Sequence, residues 1–290
     1  MKKSSDMQML RKGELEVVIV NGYPSSLTFD SSGTVYPVFH TGGLPSDHDL
    51  REPEVDDFPK WPNRSGKTMF PVVGPVKENT IIVNGMHYSQ PKHGFSDDIG
   101  HSFTRKEREN ILVYTQNYKG GKVKTKDGNF SFVPYKLVRK FSIDDYYSAN
   151  SLSQETLIIN NSNEPMRYMY GEHFSFKSPK NPKNGRFVFK DQSQFDLLKV
   201  IEDSKKWATV RKKTEDVTYI DLERGIGVNF WSNLGGLMFW SPGPFFAIEP
   251  ITNAPIRPEK QKYFEPGSPC QRLDSKGYVS RYTRIMPFLF

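Results

Sequence analysis

Cysteine is almost absent from this chain of 290 residues, in which Cys270 stands alone. One cysteine excludes a disulfide within the chain, and nothing in the cysteine usage indicates an oxidising compartment. The N-terminal segment also lacks the apolar core of a signal peptide, because Arg11, Lys12 and Glu14 interrupt it. No apolar run approaches the length needed to span a bilayer. We therefore expect a cytoplasmic protein with no membrane partner.

Helical signals are also sparse. Residues 193–202, with apolar side chains at Phe195, Leu198 and Ile201, have the pattern of a short amphipathic helix. No long helix alternates with strands, which disfavours a parallel α/β sheet. Neither of the common glycine-rich phosphate-loop spacings occurs. These absences favour a fold built mostly from antiparallel strands.

The charge of the chain is basic but dispersed. The formal net charge is +7, from 40 Lys and Arg against 33 Asp and Glu, a surplus that can attract nucleic acid or anionic substrates. Only residues 119–128 concentrate lysines, and glycines at both ends of that stretch are typical of a β-hairpin tip. A solvated hairpin is favoured over a nucleic-acid-binding arm because no recognition motif accompanies it. We expect no nucleic-acid partner.

Short runs rich in β-branched and aromatic residues dominate the chain, separated by turn signals such as Asn84-Gly85 and Asn184-Gly185. Hydrophobic residues make up 36% and aromatic residues 13%, enough for a substantial core. We predict one all-β domain over residues 1–290, an antiparallel sandwich or barrel-like domain with few short helices. Residues 1–14 are expected to be a flexible N-terminal extension, and residues 51–67 an irregular loop that is a candidate for function. The predicted strands are residues 15–20, 80–83, 111–115, 130–133, 156–159, 186–189, 217–222, 226–231, 237–240 and 245–248.

Glu249 is a candidate for acid–base chemistry. It lies at the end of the apolar run Phe245–Pro250, where burial would raise the pKa of its carboxyl and suit it to proton transfer near neutral pH. The alternative is a glutamate at the rim that faces water where its strand ends. Two histidine segments elsewhere in the chain favour the first interpretation.

The first of these segments contains His93. Pro91 restrains the chain before it, and Gly94 allows a ligand to approach the backbone closely. A histidine held in this way can donate a hydrogen bond or a proton near physiological pH, and a turn histidine bonded to the backbone is the alternative.

The second segment contains His173, which precedes Phe174 and Phe176. These aromatic neighbours indicate either a walled pocket or a half-buried strand. Glu172 would face the opposite side of an extended segment, so it is not expected to act with His173.

Metal and thiol chemistry are disfavoured. His87, His93 and His101 match no compact zinc spacing, and cysteine ligands are missing, so we predict no metal site. Cys270 follows Pro269 in a polar stretch with no visible activating context for a nucleophile.

Four segments, in order, resemble the aldose 1-epimerase (galactose mutarotase) family, nearest to its divergent bacterial branch. Residues 69–77 align with Leu-Phe-Pro-x-x-Gly-Arg-Leu-Lys, and His93-Gly94-Phe95 aligns with His-Gly-Phe. Residues 171–176 align with Gly-x-His-x-x-Phe, and residues 240–250 resemble the closing Trp and Ile-Glu-Pro elements. Each motif is short, but together they extend the resemblance over residues 15–290.

The resemblance implies a large antiparallel β-sandwich, the galactose mutarotase-like super-sandwich, and an enzyme that interconverts the α and β anomers of a sugar without a cofactor. It implies Glu249 as the general base, His173 as the general acid, and His93 as the histidine that binds the sugar near its ring oxygen. We expect a small-molecule sugar as the partner, and a monomer or homodimer.

The same resemblance suggests residues that contact the sugar. Phe95, Phe176 and Trp240 are expected to wall the pocket, since aromatic faces stack on pyranose rings.

Two departures from the family pattern concern substrate binding. Pro75 replaces the family arginine, for which Lys77 or Arg64 are possible substitutes, and Ile251 replaces a tryptophan. Two alternatives therefore remain: a mutarotase for phosphorylated hexoses, which the basic residues near the first motif favour, and a carbohydrate-binding protein without turnover.

Overall fold

Alternation of buried and exposed residues along the longest strands organises the protein into antiparallel sheets. In the strand Ala149–Asn160, for example, every second side chain from Leu152 onward is buried. The computed structural model describes residues 6–40, 65–108, 110–125, 128–147, 149–253 and 270–290. Within these ranges nearly all regular structure is β.

The described strands follow in chain order. They are β1 (Met7–Lys12), β2 (Leu15–Val20), β3 (Tyr23–Ser31), β4 (Thr34–Pro37), β5 (Lys67–Met69), β6 (Thr80–Val83), β7 (Met86–Ser89), β8 (Ser102–Arg108), β9 (Ile111–Tyr118), β10 (Val123–Thr125), β11 (Gly128–Phe130), β12 (Tyr135–Tyr146), β13 (Ala149–Asn160), β14 (Met166–Tyr168), β15 (Gly171–Lys177), β16 (Gly185–Val188), β17 (Gln194–Asp196), β18 (Thr209–Lys212), β19 (Asp216–Asp221), β20 (Ile226–Ser232), β21 (Gly236–Trp240), β22 (Phe245–Pro250), β23 (Gln271–Leu273) and β24 (Tyr278–Leu289). The helices are α1 (Ser96–Ile99) and α2 (Leu197–Ser204), with short 3-10 turns at Lys77–Asn79 and Pro182–Asn184.

Two large sheets form the body of the fold. One has nine strands in the order β17-β16-β19-β20-β24-β13-β12-β9-β8, and the other has five in the order β18-β21-β22-β15-β5. A third sheet joins β1 to β4 in sequence order, and every strand pair described is antiparallel.

Aromatic side chains from the two large sheets meet in the main core. Phe174 on β15 lies 5.7 Å from Phe230 on β20, between ring centroids, and Phe246 on β22 lies 4.3 Å from Tyr219 on β19. Each pair joins the five-stranded sheet to the nine-stranded one. The sheets therefore pack face to face, and the predicted antiparallel β-sandwich is confirmed.

Most predicted strands are present, some with shifted ends. Residues 15–20 and 80–83 match β2 and β6. The prediction for residues 130–133 is wrong beyond Phe130, where β11 ends. The predicted lysine-rich hairpin is present, since β10 pairs with β11, but residues 123–125 lie in its first strand and not at its tip. The predicted loop at 51–67 lies outside the described residues up to position 64, and Lys67 begins β5.

The predicted helix begins later than its apolar pattern indicates. Phe195 belongs to β17, and α2 starts at Leu197 because Asp196 caps it, its side chain accepting the backbone N–H of Lys199 at 2.8 Å. Among the described residues, no helix is long and apolar enough to cross a membrane.

The N-terminal prediction is wrong for residues 7–12. This segment forms β1, which pairs along its whole length with β2, and Leu10 is buried in the main core. Arg11 and Lys12 lie in the same strand, so they interrupt the apolar pattern without interrupting the strand.

Leu10→Ala should therefore lower the free energy of unfolding by about 2–5 kcal/mol, because it empties a position in the packed core. The adjacent Met9, 46% exposed on the same strand, provides a matched control, and Met9→Ala should change the value by about 0.5 kcal/mol or less. Urea-induced unfolding measures both variants. Equal and small effects would show that β1 does not contribute to the core.

Candidate active site

Two of the predicted catalytic residues face each other across neighbouring strands. In the antiparallel pair β15–β22, Phe174 lies opposite Ile248 and Gly171 opposite Ile251, so the same register puts His173 opposite Glu249. Because side chains alternate along a strand, Phe174 and Ile248 enter the core while His173 and Glu249 lie on the other face of the sheet. Their side chains meet, with Nδ1 of His173 2.5 Å from Oε1 of Glu249.

Both members of this pair are buried, His173 at 1% and Glu249 at 4% exposure. The second ring nitrogen of His173, Nε2, lies 3.0 Å from the hydroxyl of Ser175. A hydroxyl can either donate to Nε2 or accept from it, so this contact is compatible with a neutral or a protonated ring. Oε2 of Glu249 is buried and has no protein hydrogen-bond partner among the described residues. This oxygen can accept a hydrogen bond from a ligand.

A cavity of about 420 Å³ lies over the pair. Its walls include His173, Glu249, His93, Trp240 and Met238. A cavity of this volume suits a small molecule.

The structure thus brings the three predicted catalytic side chains together with one predicted aromatic wall. The ring centroids of His173 and Trp240 are 6.1 Å apart.

His93 lies on a tight turn that fixes its ring. The backbone of His93 donates to the carbonyl of Gly74 at 3.0 Å, and the backbone N–H of Gly74 donates back to Nδ1 of the ring at 3.1 Å. Since a backbone N–H can only donate, Nδ1 is the acceptor and the proton of the neutral ring is on Nε2. His93 is therefore a turn histidine bonded to the backbone, and it also lines the cavity.

The electrostatic surroundings keep His93 neutral. Desolvation by the surrounding protein, followed by the charges of Lys92, His173 and Lys67, holds the pKa of His93 well below its usual value. His93 is therefore a hydrogen-bond donor with a fixed tautomer, and it is not suited to be the residue that gives up a proton.

Two predicted pocket walls lie elsewhere. Phe176 is on the core side of β15, stacked on Phe246 at 5.3 Å, because it has the opposite strand parity to His173. Phe95 is fully buried against Tyr118, with ring centroids 5.3 Å apart. Both residues were predicted to wall the pocket, and both predictions are wrong because the two rings are buried in the core.

Glu172 faces the core, as strand alternation predicts. Thr156 and Thr283 donate hydrogen bonds to its carboxylate there.

Pro75, which stands where the resemblance expects an arginine, lines the cavity. Arg64 and the side chain of Lys77, both predicted to bind substrate, lie outside the described part of the protein.

Several cavity residues were missed from the sequence. Met238 shares the face of Glu249, to which it is paired in the β21–β22 register, so strand parity could have identified it. Trp207, Lys92 and Lys206 also line the cavity, from a loop and a turn for which the sequence offered no comparable signal.

Gly94→Ala should destabilise the protein more than Gly85→Ala, in the turn between β6 and β7. The two glycines have positive φ of 73° and 77°, so both variants share the cost of a positive φ, about 1–2 kcal/mol. A Cβ on Gly94 would lie 2.0 Å from the carbonyl oxygen of Phe70, whereas one on Gly85 would meet no described atom within 4 Å. We expect a further loss of about 1–3 kcal/mol for Gly94→Ala in urea unfolding. Equal losses would show that the turn of His93 does not need this close approach.

His93 should make the folded state less stable as pH falls. The pKa of His93 is lowered in the folded protein from the unfolded-state value of 6.5. Just below pH 6.5, therefore, the unfolded chain binds a proton at His93 that the folded chain does not bind. The contribution of the neutral His93 ring to the free energy of unfolding should be fully present above pH 6.5 and should decline below it. The His93→Gln variant should therefore lose less stability than the wild type below pH 6.5. Unfolding measured from pH 8 to pH 5 tests this, and parallel curves for the two proteins would contradict it.

No family model matches the sequence, and none of the curated proteins matches it either. Solved structures do match. A galactose mutarotase-like protein from Lactobacillus casei ATCC 334 has a TM-score of 0.74 at 14% identity, covering 98% of this chain and 100% of its own. A galactose mutarotase related enzyme from Lactobacillus acidophilus has a TM-score of 0.74 at 14% identity, covering 98% and 97%. An aldose epimerase homologue from C. elegans has a TM-score of 0.70 at 12% identity, covering 98% and 99%.

These likenesses extend over almost the whole of each chain, and identities this low establish the fold alone. The sequence motifs pointed to the same fold independently. The chain has the galactose mutarotase-like β-sandwich fold.

Proposed function

We propose that this protein is an aldose 1-epimerase-like enzyme that interconverts the α and β anomers of a hexose or related sugar. The observation that carries the proposal is the buried Glu249–His173 pair in the wall of a cavity, with the neutral His93 beside it. Anomer exchange needs a base at the anomeric hydroxyl and an acid at the ring oxygen, and the pair supplies one of each.

In the proposed reaction Glu249 is ionised and His173 carries a proton. The carboxylate of Glu249 takes the proton of the anomeric hydroxyl. The electron pair of that O–H bond then forms the C1 carbonyl. The C1–ring oxygen bond breaks, and His173 gives its proton to that oxygen. The C1–C2 bond then rotates, and closure on the other face returns both protons. The pair ends each cycle in its starting protonation state, so no cofactor or co-reactant is consumed.

The remaining cavity residues bind and orient the sugar in this proposal. His93, held as a donor through Nε2, supplies a hydrogen bond to the ring oxygen or a neighbouring hydroxyl without transferring its proton. Trp240 offers an aromatic face for the apolar side of the ring.

A phosphorylated sugar is the second candidate substrate. Lys92 and Lys206 both line the cavity and are exposed there, so the cavity has cations at its mouth where Pro75 supplies no charged donor. Exposed ammonium groups of this kind suit a phosphate on the sugar.

The wild-type protein should accelerate anomer exchange, and Glu249→Gln should lower the rate by about 10²- to 10⁴-fold, because the variant loses the base. The measurement is NMR exchange between the anomeric protons of neutral hexoses, pentoses and hexose phosphates, each against buffer alone. Faster exchange confined to hexose phosphates would select the second substrate class.

Glu202→Gln provides the matched control, since Glu202 is exposed on α2 and should leave the rate unchanged. Unchanged exchange in Glu249→Gln would contradict the assigned base. Sugar binding without accelerated exchange of any sugar would establish the carbohydrate-binding alternative instead.

A further inference from the structure

Lys67, two residues before the first motif in sequence, lies next to His173 in the sheet. In the pair β5–β15, Lys67 lies opposite His173, and residues that are opposed in this way share a face. Glu249, His173 and Lys67 therefore form one row across three adjacent strands. The side chain of Lys67 is only 13% exposed.

Lys67 is ion-paired with Asp97. Its Nζ lies 3.0 Å from Oδ2 of Asp97, whose side chain is 18% exposed. The other oxygen, Oδ1, accepts the backbone N–H of Thr68 at 3.3 Å. Asp97 is thus attached to β5 by both carboxylate oxygens.

Asp97 also belongs to the segment that carries His93. It lies in α1, which follows the His93 turn directly, and Ser96 of α1 donates to the carbonyl of Phe70 at 3.3 Å. At the same edge, Phe70 donates to the carbonyl of His93 at 3.1 Å. The Lys67–Asp97 pair therefore joins the strand that is paired with His173 to the turn that contains His93.

An ion pair this buried contributes little net stability, because removing two charges from water offsets most of their attraction, but it restricts geometry and leaves a large cost if one partner is lost. Acid–base sites are sensitive to displacements of about 1 Å. A geometric role thus explains why a buried lysine and aspartate are kept beside the two histidines.

We propose that Lys67 and Asp97 are a positioning pair that fixes the His93 turn relative to the His173–Glu249 pair. This inference rests on the proposed function for its effect on turnover, and on geometry alone for its effect on His93. Lys67 also places a cation on β5, opposite His173. Its charge also opposes protonation of His93, together with Lys92 and His173.

The test compares Lys67→Met, Asp97→Asn and the double variant by anomer exchange and by histidine ring NMR. Each single change should lower kcat by roughly 10- to 100-fold with a smaller effect on KM, because the base and the acid themselves remain. The double variant should be no worse than the single ones, since both act on one interaction. Lys67→Arg should restore most of the activity, because it keeps the charge.

The NMR titration distinguishes a displacement of the His93 ring from a change in the electrostatic potential at that ring. Lys67→Met removes a positive charge and should raise the pKa of His93, whereas Asp97→Asn removes a negative charge and should lower it. If the pair positions His93, both variants lose turnover although the pKa moves in opposite directions. Opposite effects on turnover would instead indicate a purely electrostatic role and overturn the proposal.

Lys12→Met is the matched control, since Lys12 forms an exposed ion pair with Asp145 at 2.7 Å, away from the cavity, and it should change neither readout. The His93 ring signals in the double variant test the positioning role even if the wild-type protein exchanges no sugar anomers, because this variant keeps the net charge of the pair. Unchanged His93 signals in the double variant above pH 6.5, where the ring is neutral, would overturn the inference, and shifted signals with an inactive wild type would overturn only the proposed function.

Discussion

The register between β15 and β22 is the constraint on which the rest of the structure depends. It sends Phe174 and Ile248 into the core and His173 and Glu249 to the cavity, so one alignment determines both the packing and the chemistry. A slip by one residue would exchange the two faces, burying a carboxylate and an imidazole among phenylalanines. The free energy of core packing therefore also enforces the alignment of the acid–base pair.

This constraint explains how much could be predicted. Strand composition and alternation were enough to predict the β-sandwich. Short motifs were enough to select Glu249, His173 and His93, which line one cavity. Adjacency in sequence misled the prediction for Phe176, because a strand sends neighbouring residues to opposite faces. The Lys67–Asp97 pair could not be predicted, since it depends on how the β5 strand and the α1 turn pack together, and no local pattern encodes that contact.

The two histidines have different surroundings, which match the different roles proposed for them. Burial, followed by the charges of Lys92, His173 and Lys67, acts against a charge on His93, whereas His173 has the carboxylate of Glu249 at 2.5 Å. In the proposed reaction one imidazole exchanges a proton while the other remains a fixed donor, a division that two equivalent histidines could not maintain.

The surroundings of Glu249 bear on the choice between the proposed catalysis and simple sugar binding. A buried carboxylate oxygen without a protein donor costs about 1–3 kcal/mol until water or a ligand supplies a hydrogen bond, and Oε2 is in that position among the described residues. A binding protein could lower this cost with a neutral amide, because an unsatisfied charged group costs more than a neutral one and the amide oxygen would accept the same hydrogen bond from a sugar hydroxyl. An amide, however, cannot accept the proton of that hydroxyl. The proposed proton transfer therefore requires a carboxylate here, bonded to an imidazole on the next strand, whereas sugar binding alone does not.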